Sequence, residues 1–281
     1  AGFWLPECAY YPGLERLLQE AGITFFFVDT HGIMDASQPP RNGVYAPLDC
    51  GNGVAAFARD PESSRQVWSS HEGYPGDFDY REYYRDIGFD LDFDYIAPYI
   101  LDKEIRINTG IKYYRVTGKD LPKEIYDPKK ALAKAQQHAQ DFINKRQQQI
   151  DVLSTWMDRT PIIVAPYDAE LFGHWWFEGP HWLEWVLRLA SENTNRVRTI
   201  SCSDYLKQES SNQVATPSAS TWGDQGYYSY WINETNDWIY PFLHKAEADM
   251  EKLASDLQGL ALSTLQTGAL NHAARSILLA Q

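Results

Sequence analysis

Apolar residues along this chain recur at two spacings, and the switching between them describes an α/β protein. Leu14, Leu17 and Leu18 fall on one face of a short helix that Gly22 ends. Ile23 to Val28 follows as an uninterrupted apolar run, which predicts a strand covered on both faces. With the aromatic strand end at Phe3 and Trp4, this is a β-α-β unit with parallel strands. Further strands are predicted at Gly53–Arg59, at Gly110–Thr117 and at Ile162–Ala165, the last bounded by Pro161 and Pro166 and fully buried. The longest helical pattern runs from Pro128 to Met157, with Ala131, Ala135, Phe142, Ile143, Ile150 and Leu153 on its apolar side. Another helix starts at Pro180 and passes through Trp182, Val186 and Leu189; Arg196 to Ile200 then returns as a strand, and two helices occupy Trp238 to Gln281. Residues 33–53 and 90–110 read as irregular, and Gln208–Ser220 as a polar lid or a crossing between layers.

Composition narrows the function. The chain has 281 residues, 44% of them hydrophobic, enough for one large domain or two smaller ones. A formal net charge of -13 argues against a nucleic-acid or anionic-membrane surface, and no apolar run approaches the roughly 18 to 20 residues of a membrane span. Cys8, Cys50 and Cys202 lie far apart without a CxxC spacing, so neither a zinc site nor a disulfide framework is indicated and a reducing cytoplasm is the default. Phosphate-loop, dinucleotide, serine-hydrolase and zincin motifs are absent from the sequence. Ten Trp and eighteen Tyr stand out instead, because planar rings beside carboxylates suit the faces and hydroxyls of sugars.

The densest chemistry follows the Ile162–Ala165 strand, where Asp168, Glu170, His174, Trp175, Trp176 and Glu178 leave its C-terminal end together. Loops at that end of a sheet are where α/β folds place their sites. A carboxylate there, beside aromatic surface that excludes water, can act as a general acid near neutral pH; the structural alternative is that Asp168 caps the next turn. Asp29 and His31 leave the Ile23–Val28 strand in the same way, making His31 a second candidate, although taken alone it reads slightly better as a surface-loop histidine. Glu72 precedes the tight turn Gly73-Tyr74-Pro75-Gly76, and the charges from Asp77 to Asp86 read as ion pairs that orient this loop. Trp222, Tyr227, Tyr228, Trp231 and Trp238 form a glycine-broken, ligand-facing aromatic block. Two carboxylates after different strands, Glu72 and Asp168, are what glycoside chemistry needs, one to attack the anomeric carbon and one to protonate the leaving oxygen.

Four stretches carry a family resemblance: WLPECAY (Trp4–Tyr10), WSSHEGYPGDFDYREYYRDIG (Trp68–Gly88), YDAELFGHWWFEGP (Tyr167–Pro180) and the STWG to GYYSYWIN block. In that order they resemble motif regions of glycoside hydrolase family 57, specifically its 1,4-α-glucan branching enzymes. The resemblance implies an incomplete (β/α)7 barrel followed by a C-terminal helical layer, divided as 1–207 (barrel), 208–237 (aromatic cleft segment) and 238–281 (start of the helical domain). It implies a retaining mechanism with Glu72 as nucleophile and Asp168 as acid/base, no metal and no organic cofactor. Trp222 and Trp231 match aromatics that hold the glucan, and Trp4, Glu7, His31 and His174 match residues lining the pocket. The family's first motif, a His-rich strand end, lies upstream of WLPECAY, so the chain is expected to be a fragment that lacks that strand and the end of the helical domain. The implied activity is an α-glucan transglycosylase that forms α-1,6 branches on an amylose- or glycogen-like partner. An α-amylase-like hydrolase and an inactive carbohydrate-binding homologue are the alternatives.

Overall fold

The computed structural model describes residues 1–69, 72–101, 104–118, 122–192 and 196–281; Ser70 and His71, inside the Trp68–Gly88 motif, lie outside the described residues. Two compact units are formed, Ala1–Ser220 and Thr221–Gln281.

The first unit is built on a mixed sheet whose five strands run in the order β1 (Gly2–Phe3), β2 (Phe25–Val28), β4 (Ala55–Ala58), β3 (Leu48–Asp49) and β5 (Gln213–Val214). β1, β2 and β4 are parallel, with Phe3 opposite Phe26 and Val28 opposite Ala58, so their C-terminal ends share one rim. Helices α1 (Leu14–Glu20) and α2 (Thr30–Met34) connect them, and α3 (Pro61–Trp68) leaves β4. All of β4 is buried, which explains why small alanines alternate with nothing polar there. One face packs Phe26, Val28, Ala56 and Ala58 on Leu5, Tyr10, Leu18 and Ile33. The other packs Ala55 and Phe57 on Ile162, Val164 and Tyr205.

A helical layer adjoins this sheet. After the short turns α4 (Ile87–Asp90) and α5 (Phe93–Ile96) comes α6 (Pro128–Leu153), started by Asp127, whose carboxylate accepts the Lys129 and Lys130 amides. Ala131, Ala135 and Ala139 recur every fourth residue and let α7 (Gly179–Ser191) approach closely, with Trp182 edge-on to Phe142 at 5.1 Å. Buried Arg146 reaches from α6 to Gln66 and Glu62, and Gln149 donates to the buried Asp60 carboxylate, so α6 is pinned to the start of α3. α8 (Cys202–Gln208) follows.

Several expected strands take another form. Ile162–Ala165 is extended and largely buried, but its backbone bonds are the Ile162 amide to Tyr45 and the Asp60 amide to Val164, without a regular ladder. Gly110–Thr117 contributes only isolated bridges from Tyr114 and Arg115, and Arg196–Ile200 joins no strand. Gln208–Ser220 is not a lid: β5 pairs with β3, Ala215 is buried, and Tyr10 and Ser220 exchange both backbone hydrogen bonds. That segment therefore belongs to the first unit rather than with the aromatic block.

In the second unit three single-turn helices, Asp224–Gly226, Tyr228–Tyr230 and Asp237–Ile239, carry the aromatic block. α9 (Tyr240–Leu257) and α10 (Thr264–Ala280) follow, the latter opened by a capping box between Ser263 and Gln266. Among the described residues no helix is long and apolar enough to cross a membrane.

Candidate active site

The C-terminal rim of the parallel strands gathers four groups. β1 runs into the single turn Pro6–Cys8, in which Glu7 (φ 55°) and Cys8 (φ 51°) both adopt the left-handed conformation that non-glycine residues avoid. Two such residues in succession represent strain of about 1 to 3 kcal/mol each, which persists only where the surroundings enforce it. Here they do: Leu5, Cys8 and Tyr10 are buried, and the Tyr10–Ser220 bridge clamps the turn from behind. The half-buried Glu7 is thereby held at the rim.

β2 ends in Asp29, whose Oδ1 caps α2 by accepting the Thr30 amide at 2.6 Å and lies 3.6 Å from Nδ1 of His31. β4 ends in Arg59, which donates to Asp29 Oδ2 at 3.0 Å and to Ser64 Oγ at 2.5 Å. Arg59 was not singled out from sequence; the cue available was a lone cation closing an otherwise apolar strand run. Asp168 leads the turn Ala169–Leu171, and its side chain makes no cap hydrogen bond.

Electrostatics tie the groups together. The Asp168 carboxyl is held above the ordinary carboxylate range, first by partial desolvation, then by the Glu170 and Glu7 carboxylates, with Arg59 opposing. The Cys8 thiol is pushed up to about 12, chiefly by burial, with Asp29 raising it further and Arg59 lowering it, so it is not a ready nucleophile. Trp4 lies at the same strand end, its ring 5.7 Å from Phe27. Glu7, Asp168, Asp29, Arg59 and His31 thus belong to one neighbourhood, with carboxylates in the majority.

Glu72 is not part of it. It is exposed, its amide donates to Ser69 Oγ at 3.0 Å, and it lines an open groove with Asp77, Lys134, His138 and Asp141. Asp168 feels Glu170, Glu7 and Arg59 and not Glu72. The expected pairing of Glu72 with Asp168 does not show in the structure: α3 and the turn after it place Glu72 in the groove beside α6, and the carboxylates that act on Asp168 are Glu170 first and then Glu7. The Glu72 turn is held in shape by packing, since a Cβ on Gly73 would lie 2.3 Å from the Ser69 carbonyl oxygen.

His174 sits farther along the loop that Asp168 begins, with Nε2 3.4 Å from the Tyr83 hydroxyl and its ring 5.3 Å from Trp175. Trp222 and Trp231 lie in the second unit; Trp231 is 45% exposed and stands edge-on to Tyr230 at 5.4 Å. Among the described residues no group of three or more His, Cys, Asp or Glu is placed to hold a metal ion.

The family model for glycosyl hydrolase family 57 matches residues 1–218. The 1,4-alpha-glucan branching enzyme TK1436 of Thermococcus kodakarensis is 35% identical over 292 aligned positions, covering 92% of this chain and 40% of that protein. The crystal structure of a GH57-type branching enzyme from Pyrococcus horikoshii superposes with a TM-score of 0.83 at 34% identity, covering 99% of this chain and 50% of that one. The alpha-amylase AmyC from Thermotoga maritima superposes with a TM-score of 0.81 at 39% identity, covering 99% of this chain and 58% of that one. The chain spans about half the length of the proteins it matches. With a family model covering most of its length and solved members superposing on nearly all of it, the chain belongs to glycosyl hydrolase family 57.

Proposed function

We propose that this chain carries the catalytic face of a retaining enzyme acting on α-1,4-glucan, with Glu7 as nucleophile and Asp168 as acid/base. The observation that carries this is the electrostatic coupling of Glu7 to Asp168 across the ends of two different strand segments. Glu7 attacks the anomeric carbon while Asp168, whose proton affinity its surroundings raise, gives its proton to the leaving glycosidic oxygen. Once Glu7 is esterified its negative charge is gone, and one of the influences that raise Asp168 goes with it. Asp168 then becomes the better base and takes a proton from the incoming hydroxyl. Arg59, bound to Asp29, limits how far Asp168 rises, so that it can work in both directions. Trp4, His31 and His174 line the approach, and a glucan-holding role for Trp222 and Trp231 rests on the motif resemblance alone.

The acceptor decides the product. Transfer to a glucan 6-hydroxyl makes an α-1,6 branch, transfer to water is hydrolysis. Branching is favoured because the curated relatives are described as branching enzymes, while the superposition on an alpha-amylase keeps hydrolysis as the second reading.

The test uses amylose with the wild type, Glu7→Ala, Asp168→Asn and Glu72→Gln. New α-1,6 linkages without a gain in reducing ends establish branching; reducing ends alone establish hydrolysis. Azide restores turnover to Glu7→Ala and yields a β-glucosyl azide if Glu7 is the nucleophile. Azide rescue of an added Glu72→Ala variant, with none of Glu7→Ala, overturns the assignment.

A further inference from the structure

A recess of about 340 Å³ is lined by Arg81, Tyr83, Tyr84, Asp86 and Lys112, and by His174 of the loop that Asp168 begins. Resting on the α-glucan reading above, we propose that it is an extension subsite that holds a glucan chain beyond the glucosyl units at Glu7 and Asp168.

Ring faces come first. Tyr83 lies 4.5 Å from Trp175, ring centre to ring centre, and edge-on to Tyr84 at 5.2 Å, giving a continuous aromatic surface with His174 at its border. This surface is open, since Tyr84 is 83% exposed and Trp175 49%. Exposed aromatics that contact one another in a recess offer the apolar faces on which pyranose rings stack.

Charge comes second. Lys112 is paired, lying 3.6 Å from the Asp86 carboxylate and donating to the Arg85 carbonyl, and the Arg81 guanidinium lies 3.8 Å over the Phe177 ring with N–H donors that suit sugar hydroxyls. Asp86 is buried and holds the Gly88, Thr109 and Gly110 amides, which keep it below the usual carboxylate range against the opposing effect of burial. What remains for a ligand is ring surface and hydroxyl-bonding groups, the complement of a neutral polyol.

Rigidity and reach come third. The loop is stapled internally, Trp175 amide to Glu170 carbonyl, Trp176 amide to Leu171 carbonyl and Gly173 amide to Trp176 carbonyl. His174 lies six positions after Asp168, so the recess lies within about 20 Å of the acid along the chain, a span that a short oligosaccharide crosses. One stiff loop therefore presents the acid at its start and the aromatic recess at its tip.

The experiment measures dissociation constants of maltotriose and maltoheptaose by calorimetry on the Asp168→Asn protein, which binds without turnover. Adding Tyr84→Ala or Trp175→Ala is expected to weaken maltoheptaose by about three- to tenfold, the loss of one stacking ring, and to narrow the preference for the longer sugar. Trp175→Phe, which keeps a ring, recovers most of the loss. Trp156→Ala removes another half-exposed indole outside the recess and is expected to change neither constant. Equal weakening of both sugars, or no weakening of maltoheptaose in either variant with melting midpoints preserved, overturns the subsite. Failure of Asp168→Asn itself to bind either sugar overturns the α-glucan reading and removes the basis of the subsite, a result distinguishable from the other two.

Discussion

The guanidinium of Arg59 donates to the Asp29 carboxylate across 3.0 Å, tying together the ends of two adjacent parallel strands, β4 and β2. Both side chains are mostly shielded, 21% and 15% exposed, so the pair is worth more than a surface contact. It also sets charge at the site, because Arg59 is the cation that lowers the proton affinity of Asp168.

Arg59→Met is therefore expected to destabilise the protein by about 2 kcal/mol, as Asp29 loses a shielded partner. It is also expected to move the alkaline limb of the kcat/KM profile to higher pH. The sign follows from charge: without the cation Asp168 holds its proton more tightly and remains a competent acid further up the scale. A downward move of that limb contradicts the arrangement.

Glu7→Gln is expected to lower kcat by about a thousandfold or more, the scale on which loss of a nucleophile acts. Glu72→Gln is expected to stay within about twofold, the scatter of an exposed substitution. Steady-state rates on amylose decide, and an inactive Glu72→Gln that still folds reverses the two roles.

Gly73→Ala places a methyl carbon 2.3 Å from the Ser69 carbonyl oxygen and 3.0 Å from the Val67 carbonyl oxygen, both backbone atoms that cannot step aside. The expected loss is about 2 kcal/mol of stability, read as a lower melting midpoint. The YPG turn after Glu72 is on this view a packing device. Its Tyr74 is buried, stacks on His138 at 4.6 Å and donates to Asp141 at 2.7 Å.

Glu178 predicts a pH dependence of stability. It is 1% exposed, accepts from the Tyr126 hydroxyl at 2.6 Å and the Arg81 amide at 3.2 Å through Oε1, and among the described residues Oε2 has no hydrogen-bond partner. Burial raises its proton affinity, only partly offset by Tyr126 and Arg81. The folded protein thus holds this proton more tightly than the unfolded chain does. The stabilisation is complete below the ordinary glutamate pKa, about 4.3, and is lost as pH rises through the raised folded value. Melting midpoints across pH 4 to 8 should fall less steeply for Glu178→Gln than for the wild type; parallel curves would falsify the assignment.

Local patterning was enough for much of the frame. Helices α1, α6 and α7 announce themselves by apolar residues at three- and four-residue spacing, with Gly22, Pro128 and Pro180 at their ends. The parallel β1-α1-β2 unit followed from an apolar run that needs cover on both faces. Asp168 stands out in the sequence as well, because a carboxylate at the end of a buried run is exceptional in itself; its role as acid/base is the proposal made above. Gln208–Ser220 was misjudged because β5 is only two residues long and owes its order to pairing with β3, which no local pattern records.

What the residues alone determined, then, is which segments are helical or extended and which side chains carry chemistry, since both are properties of short windows. Which distant carboxylate acts on the charge of Asp168 shows only in the tertiary structure. Glu7 and Glu72 each sit beside aromatics in the sequence, so no window separates them. The difference lies in a strained turn clamped by Ser220, far along the chain, and in the path of α3, which carries Glu72 away to the groove beside α6. Proton affinity obeys the same division, because the charges that raise and lower Asp168 come from three separate stretches of sequence brought to one rim.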